Sequence, residues 1–253
     1  MSKETATLPL LLRQLGLFTI ATHWEEFSET AQKNHWSYPR YLTALGELEA
    51  TARYQRRIQR YLKEAKLPPG KTLATFDFKA VKSINAAHIK ALAENVSWVK
   101  QAENLIIFGP SDVGKSHLAS AISSSLITQG IRALFTSTTA LVQQLQLAKN
   151  NYKLPEALAR LARYPLLILD DIGYVKKDDT ETSVLFELIA DRYETGSLII
   201  TANQPFSEWH TIFPDNMMAV AAIDRLVHHA TIINITEESY RKNKAKQGKE
   251  KII

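Results

Sequence analysis

Cysteine is absent from this chain of 253 residues. Its absence excludes disulfide bonds, catalytic thiolates and zinc sites built on cysteine, and it is typical of the reducing cytoplasm. Long hydrophobic runs are lacking as well. The apolar stretch at residues 8–12 is followed at once by Arg13 and is too short to span a bilayer. We therefore expect a cytoplasmic protein without a membrane segment.

The chain does contain enough apolar residues for a packed core, 45% of the total. Its net charge is +5 and is unevenly distributed. Residues 1–71 contain 11 Lys/Arg and 7 Asp/Glu, and residues 237–253 contain 6 and 3, which leaves the middle slightly acidic. Basic ends around an acidic body favour contact with a polyanion such as nucleic acid, and two solvated charged ends are the alternative.

The first 70 residues show helical patterning. Apolar residues at helical spacing predict a helix over residues 43–66. The pair Pro68-Pro69 followed by Gly70 ends this helix, since proline lacks the amide hydrogen that a helix needs. We therefore predict a small, all-helical N-terminal domain over residues 1–70 and an extended link over residues 71–78.

Beyond residue 71, short apolar runs alternate with helical segments. Runs that are apolar at successive positions are expected for strands buried on both faces of a sheet. The alternation is typical of an α/β fold with a parallel sheet flanked by helices, here over residues 71–236, followed by a basic tail over residues 237–253. The predicted strands are residues 105–108, 133–136, 166–169, 198–201 and 232–235.

A phosphate-binding loop follows the first predicted strand. A predicted helix over residues 116–128 comes next, so the strand–loop–helix context of the motif G-x-x-x-x-G-K-[ST] is complete. Glycines let backbone amides approach phosphates, and the helix N-terminus adds a favourable dipole. We expect Lys115 to reach the β- and γ-phosphates of ATP and Ser116 to coordinate Mg²⁺, a glycine turn with an incidental lysine being the alternative. The matching residues are Gly109, Pro110, Ser111, Asp112, Val113, Gly114, Lys115 and Ser116.

Two carboxylates follow the third predicted strand. Ligands of open α/β sheets bind at the carboxyl ends of the strands, where Asp170 and Asp171 are expected to lie. Asp170 is predicted to hold Mg²⁺, and Asp171 to orient and deprotonate the attacking water. Two acids that cap the next turn are the alternative.

Together these residues resemble the IstB family, the ATP-dependent helper proteins of insertion-sequence transposases. That family lies in the clade of AAA+ ATPases that includes the DnaC helicase loaders and the DnaA initiators. The resemblance covers nearly the whole chain. It rests on the phosphate-binding loop continuing into His117-Leu118-Ala119, on Leu169-Asp170-Asp171-Ile172-Gly173-Tyr174, on Thr201-Ala202-Asn203-Gln204-Pro205-Phe206-Ser207-Glu208-Trp209, on Asp224-Arg225-Leu226 with His228-His229, and on Glu238-Ser239-Tyr240-Arg241.

The resemblance implies roles for further residues. His117 joins the nucleotide-binding set. Asn203 corresponds to the polar residue that holds the hydrolytic water near the γ-phosphate, a turn-forming asparagine before Pro205 being the alternative. Arg225 corresponds to the arginine finger that completes the site of a neighbouring subunit, and a salt bridge to an acid of its own chain is the alternative. AAA+ proteins usually have glutamate where this chain has Asp171, so the resemblance implies slow hydrolysis.

The resemblance also implies partners and a domain order. It implies a homo-oligomer that assembles on duplex DNA without sequence preference and delivers that DNA to a transposase. A helical N-terminal domain is expected to precede the ATPase. Only 18 residues follow Ile235, so we expect no C-terminal helical lid, and Arg241 is a candidate substitute for the arginine that such a lid provides.

A basic stripe in the predicted N-terminal helix is the candidate DNA-binding surface. Arg53, Arg56, Arg57 and Arg60 recur at helical spacing and are followed by Lys63. With no interleaved acid expected on that face, the arginines are expected to repel one another unless a phosphate backbone neutralises them. A solvated helix face is the alternative.

A second candidate surface lies between the second and third strands. Residues 139–163 are too long for one crossover and predict two helices around a basic turn. This arrangement resembles the extra helix with which initiator-clade proteins face nucleic acid. Lys149 and Lys153 are the candidate contacts there.

Three functions remain open at this point. The first is a transposition helper that hydrolyses ATP, and the second is a DnaC-like loader of a replicative helicase. The third is an ATP-gated DNA scaffold that does not hydrolyse ATP. A basic duplex-binding stripe favours the first, an apolar docking patch in the N-terminal domain favours the second, and lack of ATP turnover favours the third.

Overall fold

A computed structural model describes residues 3–173, 179–211 and 216–237. Tyr174, Arg241 and the tail beyond residue 237 lie outside these ranges. The chain divides into two compact units, residues 1–60 and residues 61–253. No helix within the described ranges is long and apolar enough to cross a membrane.

The first unit is helical, as predicted. Its helices are α1 (Lys3–Gln14), α2 (Phe18–Lys33) and α3 (Tyr38–Glu64), of which α3 continues into the second unit. Helix α3 begins before the predicted residue 43. Its last residues, from Tyr61 onward, belong to the second unit. Tyr61 and Leu62 pack against the core of that unit, in which the following residue Ala65 is fully buried. For that reason the division falls at residue 60, earlier than the predicted boundary after Gly70.

The second unit is a parallel α/β sheet flanked by helices. The strands lie in the order β2-β3-β4-β1-β5, and all four neighbouring pairs are parallel. A 3-10 helix, Phe206–Thr211, follows β4. The strands are β1 (Asn104–Phe108), β2 (Ala133–Ser137), β3 (Leu166–Asp170), β4 (Ser197–Ala202) and β5 (Ala230–Asn234). The helices are α4 (Ala86–Glu94), α5 (Ser97–Lys100), α6 (Lys115–Thr128), α7 (Thr138–Asn150), α8 (Leu154–Leu161), α9 (Asp179–Arg192) and α10 (Asn216–Val227).

The central strands are buried on both faces, which explains why they are apolar at every position. In β1, Leu105 and Ile107 belong to one hydrophobic cluster, whereas Ile106 and Phe108 belong to another. Successive side chains of a strand point to opposite faces, so the two clusters are the layers above and below the sheet. The sheet thereby places the ends of β1, β3 and β4 side by side at one edge.

The predicted extended link over residues 71–78 is wrong. These residues form a series of turns, in which the hydroxyl of Thr75 donates to the carbonyl of Gly70 and Ala80 N donates to Asp77. Phe76 is buried, and its ring contacts Phe78 at a centroid distance of 4.8 Å. Burial of these aromatic rings folds the segment back onto the second unit.

Candidate nucleotide-binding site and nucleic-acid surfaces

The phosphate-binding loop lies between the end of β1 and the start of α6. Gly109 and Gly114 have φ angles of 154° and 99°, which side-chain-bearing residues rarely adopt. A Cβ at Gly109 would stand 2.6 Å from the carbonyl oxygen of Ile235, and one at Gly114 would stand 3.1 Å from the ring of Phe76. Both positions therefore require glycine for backbone conformation and for space.

Lys115 begins helix α6 and is only 6% exposed. Its ammonium donates to the carbonyl oxygens of Gly109 and Pro110 at 2.8 and 2.7 Å. Burial lowers the pKa of Lys115, while the charges of Asp171, Asp170 and Asp112 act in the opposite direction. The lysine thus lies inside the loop, with its charge surrounded by carbonyl and carboxylate oxygens.

Asp170 ends β3 and is held by Thr201 of the neighbouring strand. The Thr201 hydroxyl donates to Asp170 Oδ1 at 2.6 Å and accepts the amide of Asp171 at 2.9 Å. The carbonyl of Asp170 accepts the hydroxyl of Thr138 at 3.0 Å. Thr201 fixes both the carboxylate of Asp170 and the backbone that follows it, a positioning role that was not predicted from the sequence.

Asp171 turns out of the strand in a left-handed conformation, with φ at 62°. Its carboxylate lies beside Lys115 and Asp170. Burial raises the pKa of Asp171, the charge of Asp170 raises it further, and the charge of Lys115 lowers it. A carboxylate with a raised pKa at the mouth of a phosphate-binding loop is suited to accept a proton.

A cavity of about 560 Å³ brings the phosphate-binding loop, Lys115 and Asp171 together. Asp170, Asn203 and Arg225 do not line it. The turns after Gly70 form its second wall, which sequence reasoning missed because nothing in the residue pattern links that segment to the loop. The lining residues are Lys71, Thr75, Phe76, Asp77 and Val81 on one side, and Ser111, Asp112, Val113, Gly114, Lys115, Ser116, His117 and Asp171 on the other.

His117 connects the two walls of the cavity. Its Nε2 lies 3.1 Å from the carbonyl oxygen of Thr72 and 3.2 Å from the hydroxyl of Thr75. The imidazole ring meets the ring of Phe76 edge-on at a centroid distance of 5.2 Å. His117 therefore orders the second wall in addition to lining the cavity.

Asn203 follows β4 at the same edge of the sheet as Asp170. Its Oδ1 atom is buried and has no hydrogen-bond partner within the described residues. The loop after it is anchored by Trp209, which is fully buried and donates from Nε1 to the carbonyl of Gln204 at 3.2 Å. Phe206 packs between Trp209 and Phe108 at centroid distances of 4.9 and 4.7 Å. The aromatic residues of this run thus hold Asn203 in place.

Arg225 lies in the last turn of α10. Its guanidinium donates to the carbonyl of Ala221 at 3.0 Å and stacks over the ring of Phe186 at 5.2 Å. The structure therefore does not bring Arg225 to the cavity of its own chain.

Two arginines of the basic stripe bind a buried acid that the sequence analysis overlooked. Glu49 is 4% exposed, and its Oε1 accepts from Arg53 and Arg56 at 3.0 Å each. Its Oε2 accepts the backbone amides of Thr19 and Ile20. The expectation of uncompensated repulsion along the stripe is wrong, since Glu49 lies one turn before Arg53 on the same face.

The other candidate nucleic-acid contacts have different surroundings. Arg57 stacks over the ring of Tyr54 at 5.1 Å. Lys149, at the end of α7, donates to Glu187 and Ser183 at 2.8 Å each. Lys153 is exposed in the turn between α7 and α8, beside the almost fully exposed Tyr152, and Arg60 and Lys63 lie near the end of α3. The two helices predicted over residues 139–163 are present as α7 and α8.

The donor groups at the cavity and at the adjacent end of β3 fit a nucleotide with Mg²⁺. The hydroxyl of Ser116 and the carboxylate of Asp170 are hard oxygen ligands of the kind that Mg²⁺ prefers. The loop glycines leave their backbone amides accessible, and the start of α6 favours an anion. The Oδ1 of Asn203 has no hydrogen-bond partner within the described residues, and Asn203 lies outside the lining of the cavity.

Comparison with known proteins gives consistent matches along the chain. Residues 10–248 match a family model described as IstB-like ATP binding protein. An insertion-sequence ATP-binding protein of Sinorhizobium fredii is 51% identical over 246 residues, which is 97% of this chain and 83% of the relative. An insertion-sequence ATP-binding protein of Pseudomonas aeruginosa is 38% identical over 95% of this chain and 91% of its own length.

Solved structures share the fold at low identity. The crystal structure of the DnaC helicase loader matches with a TM-score of 0.54 and 24% identity, over 70% of this chain and 98% of that chain. DnaA from Aquifex aeolicus bound to AMPPCP matches with a TM-score of 0.56 and 19% identity, over 72% of this chain and 56% of that one. These likenesses confirm the predicted AAA+ fold of a parallel sheet flanked by helices.

Proposed function

The chain belongs to the IstB-like ATP-binding proteins, and from that membership we propose that it is an ATPase that assembles on duplex DNA and delivers this DNA to the transposase of an insertion sequence. The relatives are named as ATP-binding proteins of insertion sequences, which supports a helper role in transposition. Hydrolysis, DNA binding and self-assembly are the parts that we add.

The observation that carries the proposal is the meeting of Lys115 and Asp171 on one cavity. The lysine supplies a positive charge for the β- and γ-phosphates, and loop amides supply further donors. Asp171, whose pKa is raised by burial, accepts the proton of the attacking water. Asn203 orients that water, because its Oδ1 is an acceptor without another partner within the described residues.

Magnesium would be held by the Ser116 hydroxyl and the Asp170 carboxylate, where it would neutralise phosphate charge. Thr201 leaves one carboxylate oxygen of Asp170 outside its hydrogen bond, since the hydroxyl donates to Oδ1. The threonine thus orients the carboxylate without consuming both of its oxygens. This is the geometry that a metal-binding aspartate needs.

DNA contact is assigned to the basic residues of α3, which are Arg53, Arg56, Arg57, Arg60 and Lys63, together with Lys149 and Lys153 around the turn after α7. Arg53, Arg56 and Lys149 also form ion pairs with acids of their own chain. Contacts to phosphate groups carry no information about the bases, so binding through them is independent of sequence. Arg225 of one subunit completes the nucleotide site of its neighbour, so ATP binding and assembly depend on each other.

The test is ATP turnover by purified protein with and without duplex DNA, followed by addition of a transposase from an insertion sequence of this family. We expect turnover that DNA stimulates, and increased strand transfer by the transposase. Lys115→Ala should weaken ATP binding on the order of a hundredfold, the effect of losing a charge-assisted bond of about 3 kcal/mol. Lys100→Ala removes an exposed lysine of the same unit and serves as the control.

Other outcomes identify the competing functions. ATP-dependent DNA binding without turnover would indicate a non-hydrolysing scaffold. Binding to a replicative helicase, with no effect on the transposase, would indicate a helicase loader. Wild-type ATP affinity in Lys115→Ala would contradict the assignment of the nucleotide site itself.

A further inference from the structure

Two histidines and a glutamate lie together near the amino-terminal ends of the strands, whereas the nucleotide cavity lies at their carboxyl-terminal ends. Potential ligand atoms of Glu194, His228 and His229 all lie within 4.8 Å of one another. Glu194 precedes β4, and the histidines precede β5, so the cluster lies where parallel strands begin. The phosphate-binding loop follows the end of β1, so nucleotide chemistry does not account for this cluster.

The turn that contains the histidines is anchored by Asn104, the first residue of β1. The backbone amide of Asn104 donates to the carbonyl of His229 at 2.7 Å, and its side-chain Nδ2 donates to the carbonyl of Leu226 at 3.0 Å. The amide of His228 donates to the carbonyl of Asp224 at 3.0 Å. The backbone on both sides of the imidazoles is therefore fixed.

The turn that contains Glu194 is anchored by the buried Arg192. This guanidinium donates to the carbonyls of Tyr164, Pro165 and Ser197 at 3.0 Å each. The backbone carbonyl of Arg192 accepts hydrogen bonds from the amides of Thr195 and Gly196, which closes the turn around Glu194. Glu194 adopts a left-handed conformation with φ at 59°, a strained geometry for this residue type that the surrounding bonds enforce.

Tyr193 adds a contact behind one imidazole. Its hydroxyl lies 2.9 Å from Nδ1 of His228. Histidines that bind metals usually have their second ring nitrogen in such a hydrogen bond, which orients the ring. The rings of His228 and His229 lie 4.1 Å apart, so the two imidazoles are already side by side.

We propose that Glu194, His228 and His229 bind a zinc-class divalent cation, a site that joins the turn before β4 to the end of α10. Two imidazoles and one carboxylate suit Zn²⁺, whereas Mg²⁺ prefers oxygen ligands alone. Three protein ligands leave a fourth position for water or for a group from another molecule. All three side chains are exposed, so the cation has direct access from solvent.

The position of the site gives it a structural consequence for α10. His228 follows the helix that contains Arg225, at a distance of three residues along the chain. A cation would tie the end of this helix to the turn after α9, the helix whose Phe186 stacks on Arg225. Zinc binding would then stiffen the contact between α9 and α10, and this holds whether or not the chain hydrolyses ATP.

The test is Zn²⁺ binding by untagged, nucleotide-free full-length protein, measured by competition with a chromophoric chelator. We expect one Zn²⁺ per chain, and loss of that binding in His228→Ala, His229→Ala and Glu194→Gln. Tyr193→Phe should weaken binding by about tenfold, as expected for a residue that orients a ligand. His88→Ala removes an exposed histidine elsewhere in the same unit and should change nothing.

Co²⁺ in place of Zn²⁺ gives an independent reading of the ligands. A four-coordinate site should produce visible absorption that disappears in the three ligand variants and persists in Lys115→Ala. Wild-type binding by Glu194→Gln and His229→Ala would overturn the proposal. So would one Zn²⁺ for every two chains, since that result indicates a bridge between copies rather than a site within one chain.

Discussion

At the scale of single residues, the backbone conformation of Asp171 favours the short side chain of aspartate. The residue has φ at 62°, a region that aspartate and asparagine adopt more readily than longer side chains. The bond from its amide to Thr201 fixes that conformation. The turn places the side chain of Asp171 on the wall of the cavity.

Asp171→Asn should retain ATP binding and slow turnover by about 10²–10⁴-fold, the usual contribution of a general base. Asparagine tolerates the same backbone, so the loss reports chemistry rather than misfolding. Steady-state turnover and nucleotide affinity measured side by side provide the check. Asp191→Asn, an exposed acid of α9, is the control. Unchanged turnover in Asp171→Asn would mean that another group takes the proton.

The raised pKa of Asp171 has a measurable effect of pH. The base works when ionised, so wild-type turnover should fall on acidification at a pH above the ordinary value of 3.8, and Asp171→Asn should lack that decline. The free energy of unfolding should depend on pH in the opposite direction. Folding raises the pKa of Asp171, so the folded protein binds the proton more tightly than the unfolded chain does. The contribution of Asp171 to the free energy of unfolding therefore declines as pH rises from 3.8 through the raised pKa. At neutral pH, Asp171→Asn should therefore be more stable than the wild type.

At the scale of secondary-structure elements, helix α3 combines a buried acid with a row of arginines. Burial raises the pKa of Glu49, but the hydrogen bonds from Arg53 and from the amides of Ile20 and Thr19 lower it. The resulting pKa lies below the ordinary value of 4.5. The carboxylate joins α3 to the start of α2 through those amides. Part of the basic stripe is therefore structural.

Glu49→Gln should lower the free energy of unfolding of the N-terminal unit by about 1–3 kcal/mol at neutral pH, because buried amide and guanidinium donors lose a charged acceptor. A depressed pKa contributes stability above the unfolded value and loses it as pH falls through the folded one. The wild-type advantage should thus shrink below pH 4.5. Hydrogen exchange of α2 and α3 amides measures this, with the exposed Glu47→Gln as the control. Equal protection in both variants would contradict the structural role of Glu49.

Two further arginines of the stripe provide the test of DNA contact. Arg57→Ala combined with Arg60→Ala should reduce the slope of log affinity against log salt by about 2, since each phosphate contact releases counterions. Nucleotide affinity should be unchanged, because the cavity is lined by residues of the second unit. Arg13→Ala combined with Lys33→Ala removes the same charge from α1 and α2 and should leave the slope close to wild type. Equal slopes in both double variants would identify the stripe as a solvated surface.

The sequence predicted best what local pattern determines. The five strands agree with prediction to within one or two residues, because each contains a run of apolar residues, which is buried on both faces in β1, β3 and β4. The phosphate-binding loop could be recognised because its glycines are needed for backbone conformation. Contacts between distant residues could not be read this way: Phe76 against Gly114, and Lys149 with Glu187, join segments that no periodicity relates. The ion pairs of Glu49 were missed although Arg53 and Arg56 are close to it in sequence. The face of the helix that Glu49 shares with them was interpreted as a DNA-binding surface.

At the scale of the whole molecule, the separation of Arg225 from the cavity has a consequence for assembly. Arg225 is engaged with Ala221 and Phe186 of its own chain, and it does not line the cavity that contains Lys115 and Asp171. A guanidinium that stabilises phosphate charge must come within hydrogen-bond distance of that charge. If Arg225 acts in hydrolysis, it does so on the nucleotide of another subunit.

Mixing two inactive variants tests this arrangement. Arg225→Ala alone and Lys115→Ala alone should each lack turnover, because every interface in such an assembly is missing one of the two groups. In a mixture, some interfaces pair an intact Lys115 with an intact Arg225 from the neighbour, and turnover should return at those interfaces. The recovered rate should peak at intermediate ratios of the two proteins, since either one in excess dilutes the productive pairs. Mixed assembly must be verified by mass, with Lys100→Ala mixed with Lys115→Ala as the control for intact fingers. An arginine that only stabilises α10 against Phe186 would give no recovery in verified mixed assemblies, and Arg225→Ala would then lower the unfolding temperature instead.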